Sequence, residues 1–286
     1  MRPLKRIKTY LKASYPCLFS LYRDSRSRAK WWAKKSKRLD LCAAQFAYMM
    51  HYTGNPFKDS ICLELGSGWV LSHAILAYLL GAEKVYATDY FPLADLTALR
   101  LSINSSDAAL IRDILAPYED HEILREKIEN IKSISNWSLS RLKSLGITYS
   151  APIDLTIALE FNDGEFAYSL SVLEHVPCED IEAVVRHLSI IPNQFHFIHL
   201  EDHADLVNDP FEFLSFSNYP KQLQLERGNR VRASHWMKVL SQFHDVEVIH
   251  AWKRDMPIPE HLAPEIEFID ADDLRTSHLG VWLKQY

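Results

Sequence analysis

Residues 61–90 read ICLELGSGWVLSHAILAYLLGAEKVYATDY. The apolar run Ile61–Leu65 ends in a glycine turn, Gly66-Ser67-Gly68. A helical stretch follows, with apolar residues at Leu71, Ile75, Leu76, Tyr78 and Leu79. A second apolar run, Val85–Ala87, ends at Asp89. Strand, tight turn, helix and strand in this order predict one βαβ unit of the kind that binds a nucleotide-like ligand. Glycine at 66 and 68 frees the turn and lets the backbone approach a ligand, which a Cβ would hinder. Asp89 falls where the second strand ends, and a carboxylate there can accept hydrogen bonds from both ribose hydroxyls. A dinucleotide fingerprint expects glycine at position 71, where this chain has Leu71. Glu64, two residues before the first glycine, is unfavourable beside a pyrophosphate and suits a cationic ligand.

The rest of the composition sets the frame. The chain has 286 residues, enough for one large domain or a domain with additions, and 48% of them are apolar, enough for a sizeable core. No apolar run reaches the 18 or so residues of a membrane helix, and no secretory signal opens the sequence. Cys17, Cys42, Cys62 and Cys178 are widely spaced and form no metal-type pair. A reduced, cytoplasmic protein is the simplest expectation. The net charge of −5 hides an asymmetry, because residues 1–38 carry about a dozen more Lys and Arg than acids. Aromatic and apolar residues such as Tyr15, Phe19, Tyr22, Trp31 and Trp32 stand among them. Such a segment can lie on an anionic membrane, bind nucleic acid or a phosphorylated carrier, or pack as a solvated helical extension. No nucleic-acid module accompanies it, so nucleic acid is the least expected partner.

Further along, residues 39–52 and 92–104 have helical spacing. Residues 105–144 form a polar, helix-rich segment longer than a βαβ crossover needs, expected to cover or shape the substrate side. Strands are expected at 146–151, 165–177, 194–202, 246–252 and 278–284. Between the last long helix (233–243, with Ser234 as its cap) and the fifth strand lies the aromatic stretch 204–229, which reads as a lid.

The glycine motif with Glu64 and Asp89 resembles motif I of the class I S-adenosylmethionine-dependent methyltransferases, with Val70 at the third glycine position. The segment Ser169–Val176 (SLSVLEHV) resembles one found in many small-molecule members, and two closing strands resemble the antiparallel hairpin of that fold. The resemblance spans about residues 40–286. It implies an α/β, Rossmann-like seven-stranded sheet with helices on both faces, preceded by a basic helical extension over 1–38, so that the catalytic domain would be 39–286. A weaker similarity to methyltransferases of bacterial surface-polysaccharide clusters points to O-methylation of a sugar or glycolipid. A methyltransferase of a protein or nucleic acid, or a catalytically silent binding protein, are the alternatives. S-adenosylmethionine would then be held by Glu64, Gly66, Ser67, Gly68, Asp89, Tyr90, Asp154 at its adenine and Ser169 at its methionine end.

Methyl transfer to oxygen benefits from a base near neutral pH, a role that suits histidine. His203 follows the fifth strand at the carboxyl end of the sheet, with Asp202 its sequence neighbour, and these two are the expected catalytic pair. His175 is expected to start a helix and to pack. Some sugar O-methyltransferases use a divalent ion, which draws His199, Asp202 and His203 into a metal reading. Alternate strand residues point to opposite faces, so these three need not converge, and no metal is assigned.

Overall fold

A computed structural model describes residues 26–157 and 163–286. In chain order the elements that matter are α1 (Arg26–Lys34), α2 (Leu39–Thr53), β1 (Ile61–Leu65), α3 (Ser72–Leu79), β2 (Lys84–Thr88), α4 (Leu96–Ser105), α5 (Ala108–Leu115), α6 (His121–Ser133), α7 (Leu139–Ser144) and β3 (Ile147–Ser150). Then come β4 (Phe166–Leu170), α8 (Ile181–Leu188), β5 (Asn193–His199), α9 (Lys221–Arg227), α10 (Ala233–Leu240), β6 (Asp245–Lys253), α11 (Ala271–Arg275) and β7 (Thr276–Lys284).

The strands form a seven-stranded sheet in the order β3-β2-β1-β4-β5-β7-β6. β1 to β5 pair in parallel, and β7 inserts antiparallel between β5 and β6. This is the expected α/β architecture with its closing hairpin. Strand alternation sorts the side chains into two layers. Cys62, Val85, Phe166, Tyr168 and Phe195 pack against α2, α3 and α5–α7, while Leu63, Leu65, Ala167 and Ile198 pack against α8 and α10. Helices cover both faces, as the near-continuous apolar strands require.

Three expectations about additions are corrected. First, the helices of 105–144 do not cover the substrate side. Asp107, Asp120 and Ser138 cap α5, α6 and α7 with their side chains, and Ile111, Leu115, Leu124, Ile128, Ile131 and Leu142 join the core cluster of α2 and α3. The spacing of these apolar residues made them helical; only packing shows which layer they thicken.

Second, the boundary at residue 38 does not exist structurally. Ala29 and Ala33 of α1 pack on Val70 and Ala98, with Trp32, Trp69 and Leu101 alongside. The Lys37 carbonyl accepts hydrogen bonds from the buried Ser72 and Ser102 hydroxyls, both at 2.7 Å. Residues 26–38 are therefore part of the domain, and residues 1–25 lie outside those described. Val70, 2% exposed, packs with α1 in this cluster and also lines the cavity at the glycine turn.

Third, 204–229 is not irregular. It contains α9, and Phe211, Phe213 and Tyr219 bury themselves with Leu274 in a cluster of their own. Arg232, fully buried, ties this region together by donating to the carbonyls of Leu200 (2.8 Å), Leu274 (3.1 Å) and Thr276 (2.5 Å). Ser234 does not cap α10, because its hydroxyl and amide both bond Asp273.

Candidate active site

A cavity of about 690 Å³ opens at the carboxyl ends of β1, β2 and β4, where neighbouring crossovers leave in opposite directions. That crevice is where open α/β sheets bind ligands, and the volume suits a nucleoside-sized molecule with a small partner. The glycine turn forms part of its wall, with Thr88–Phe91, Ile153–Thr156, Leu170–Val172, His175, His199 and His203.

The two glycines are required for different reasons. Both have φ of 65°, a conformation that costs a residue with a Cβ. At Gly66 an added Cβ would also stand 2.5 Å from Val172 Cγ2, so this glycine serves close packing against the turn after β4. At Gly68 the nearest atom to such a Cβ is 3.9 Å away, so that position is open. Leu71 also takes a left-handed conformation, φ 56°, where it leads into α3.

Asp89 lines the cavity. Its Oδ2 accepts the Gly68 amide at 2.7 Å and its Oδ1 the Phe91 amide at 2.9 Å. A carboxylate at this end of the sheet stands where the ribose of a nucleotide-like ligand lies. The Asp89 carbonyl accepts the Ile153 amide at 2.9 Å, which fixes the next loop. In that loop Asp154 lines the cavity, with Oδ1 accepting from Thr156 N (2.9 Å) and Oγ1 (2.7 Å). Tyr90 stands half exposed at the mouth.

Glu64 is 1% exposed and does not itself line the cavity. It lies behind Ser67 and His73, which do, and His73 Nε2 is 3.3 Å from Gln45 Oε1. Burial pushes the Glu64 carboxyl up to about 8, opposed by Ser67 and Lys37. Burial, with Lys37, also pushes His73 well below the usual imidazole range. The 3.7 Å approach of His73 Nδ1 to Glu64 Oε1 is therefore a contact of neutral groups, not an ion pair. Neither Glu64 oxygen has a hydrogen bond.

A pH dependence follows. The folded pKa of Glu64 lies above the ordinary value of 4.5, so the stability that it contributes is full below about pH 4.5 and is lost as pH rises through about 8. Glu64→Gln should gain stability relative to the parent across that window, on the order of a few kcal/mol. Thermal melts of both ligand-free proteins at pH 5 and 8.5 measure it, and a constant difference would show that Glu64 ionises normally.

Two expected site residues are placed elsewhere. Ser169 is fully buried, and its hydroxyl is 2.8 Å from Nδ1 of its cross-strand neighbour His196. It shares the face of Ala167, toward α8 and α10, because alternation turns it away from the cavity; Leu170 and Ser171 line the cavity instead. Asp202 is 1% exposed and absent from the cavity wall. It holds Arg227 through both nitrogens of a guanidinium edge and caps the Ala204 amide at 2.9 Å. It does not orient His203.

His203 does line the cavity, and the carboxyl beside it is Glu174, whose Oε1 is 3.8 Å from His203 Nε2. The rings of His175 and His199 are each 4.7 Å from that of His203. Burial and these neighbours drive His203 well below the usual range, so the ring is neutral with a lone pair. Glu174 is 1% exposed, and burial pushes it up to about 8. His199 Nε2 is 2.8 Å from Glu201 Oε2. Glu174 sits in the LEH stretch that the sequence singles out, but nothing local shows that residue 203 returns to it. Lys37, Gln45 and His73 were likewise not legible as site residues, since each reaches the cavity by long-range packing.

No family model matches the chain, and neither does any curated protein. Among solved structures it is similar to magnesium protoporphyrin IX methyltransferase from Synechocystis PCC 6803 with bound SAH (12% identity, 98% of this chain and 99% of that one, TM-score 0.48). It is similar to an S-adenosylmethionine-dependent methyltransferase from Mesorhizobium loti (14%, 86% and 100%, 0.47). It is also similar to human N-acetylserotonin methyltransferase in complex with SAM (10%, 95% and 59%, 0.47). Likenesses this distant assign nothing; what the cavity takes follows from its own residues.

Proposed function

We propose that this chain is an S-adenosylmethionine-dependent methyltransferase acting on an oxygen of a small molecule such as a sugar or glycolipid. The observation that carries the proposal is the glycine turn closed onto Asp89 at the carboxyl end of β1, in a sheet whose β7 runs antiparallel between β5 and β6. The residues fit that cofactor. Gly68 leaves room at the turn, Asp89 lines the cavity at the end of β2 where a ribose would lie, and Asp154 stands in the loop tied to Asp89. Glu64, buried one layer behind the wall with neither oxygen hydrogen-bonded, is a carboxyl whose ionised form a ligand bearing a sulfonium and an ammonium would favour. A dinucleotide would bring a pyrophosphate toward that carboxyl instead.

The cofactor supplies an electrophilic methyl group. The chain must align an acceptor oxygen with it and exclude water. Trp32, Trp69, Tyr90 and Phe91 give the cavity aromatic surface, and Lys37, Gln45, Asp180 and Lys221 give it polar edges, a mixture suited to a sugar-like acceptor. The cavity's size supports a small molecule over a protein or nucleic-acid target. No described helix is long and apolar enough to cross a membrane. Contact with an anionic membrane surface is part of the proposal, supported by a groove lined by Lys30, Lys34, Arg100 and Lys132. Salt-sensitive retention on anionic vesicles is the expected result.

Calorimetry should give micromolar binding of S-adenosylmethionine and S-adenosylhomocysteine, on the order of −7 to −8 kcal/mol. Asp89→Ala should weaken both about ten-fold or more, through lost ribose bonds and a loosened Gly68 amide. Preference for a nicotinamide dinucleotide would overturn the proposal. Labelled S-adenosylmethionine added with the protein to cell extracts would mark the acceptor.

A further inference from the structure

Glu174, His199 and His203 come from three separate segments: the turn after β4, the end of β5 and the loop beyond it. One donor atom of each lies within 4.8 Å of the other two. Glu174 is 1% exposed, both its oxygens lack a hydrogen bond, and no Lys or Arg among the described residues pairs with it. His203 Nε2 is likewise buried without a hydrogen bond. A carboxyl and an imidazole nitrogen, both shut from water and both unpartnered, face each other at 3.8 Å. Donors of one ion at about 2.1 Å stand roughly 3–3.5 Å apart. A small rotation of the side chains closes the difference.

We propose that Glu174, His199 and His203 bind a divalent first-row transition ion beside the cavity. Two imidazoles and one carboxylate suit zinc, manganese or iron(II), and leave coordination positions open. His199 and His203 both line the cavity, so those positions are available to an acceptor oxygen. His199 is prepared for the task. Its Nε2 is 2.8 Å from Glu201 Oε2, a contact that holds the orientation of the ring. Glu201 is held in turn by Arg254 Nη1 at 2.8 Å. A carboxylate that fixes the tautomer and orientation of a ligating histidine is a recurring feature of metal sites. The neighbouring group of His199, Glu201 and His278 is the weaker candidate, because Arg254 already neutralises Glu201 and would repel a cation. In the methyl-transfer reading, a bound cation would stabilise the developing oxyanion of the acceptor directly. Only this role rests on the methyltransferase proposal; binding of the ion does not.

The full chain, stripped with chelator and dialysed, should be titrated with zinc chloride and manganese chloride by calorimetry, with metal content read by mass spectrometry. One equivalent is expected. Glu174→Gln and His203→Ala should each weaken it ten-fold or more. Glu201→Gln, a change in a positioning residue, should weaken it by about ten- to a hundred-fold. S-adenosylhomocysteine binding, measured on the same samples, separates the two proposals. Ion binding without it supports this site and removes the methyltransferase reading; its binding without any ion overturns this site alone. Ion binding unchanged in both ligand variants also overturns it. Should a variant fail to fold, cobalt(II) added to the parent protein must give visible bands that zinc abolishes, and their absence overturns the proposal.

Discussion

His203→Ala is expected to lower methyl transfer about a hundred-fold or more, while affinity for S-adenosylhomocysteine stays within a few-fold. The size is that of losing a group that acts directly on the acceptor proton or oxygen. The placement is specific. His203 lines the cavity, its Nε2 makes no hydrogen bond, and its ring lies between those of His175 and His199. Its amide donates to the Arg227 carbonyl at 3.1 Å, a bond that the substitution leaves in place, so the backbone should hold. Incorporation of labelled methyl into the acceptor, with calorimetry alongside, measures both quantities. Full activity of the variant would leave His203 without a chemical role. Asp202→Asn offers the contrast: it would act through the Arg227 pairing, and so on stability before chemistry.

Deletion of residues 1–38 is expected to abolish both the folded state at 37 °C and cofactor binding. The deletion removes α1 from Val70 and Ala98 and leaves the buried Ser72 and Ser102 hydroxyls without the Lys37 carbonyl. Uncovered apolar surface and two stranded hydroxyls together cost roughly 3–6 kcal/mol, a large share of the 5–15 kcal/mol typical of a domain. It also strips Trp32, Ser36 and Lys37 from the cavity wall. A chain beginning at Arg26 keeps all of these and should fold and bind. Thermal melts and S-adenosylhomocysteine titrations of the two truncations decide the matter. A stable, ligand-binding protein starting at Leu39 would restore the boundary that composition alone predicts.

The basic arm shows why that boundary misleads. Charge density marks residues 1–38 as different, and a run of Lys and Arg reads as solvated. The packing of α1 depends on two alanines, Ala29 and Ala33, too small to register as an apolar stripe. Their partners Val70 and Ala98 are distant in sequence, one beyond the glycine turn and one on α4. Shape complementarity of this kind leaves no periodic signal.

What the sequence determined by itself was everything set by local rules. The period-2 and period-3.6 patterns placed β1, α3 and β2. The left-handed glycines marked the turn, and Asp89 at the end of β2 marked the ligand end of the sheet. Tertiary structure alone decided which way each polar side chain near that end points and what it meets. Ser169 and Leu170 differ by one residue, yet strand parity sends one to His196 under α8 and the other to the cavity. Asp202 and His203 are adjacent, yet the turn between them gives one to Arg227 and brings the other to Glu174, 29 positions earlier in the chain. Sequence neighbours share a backbone but not a direction. A carboxyl and an imidazole from separate strand ends come together only because β4 and β5 pair in parallel and deliver both ends to the same edge of the sheet.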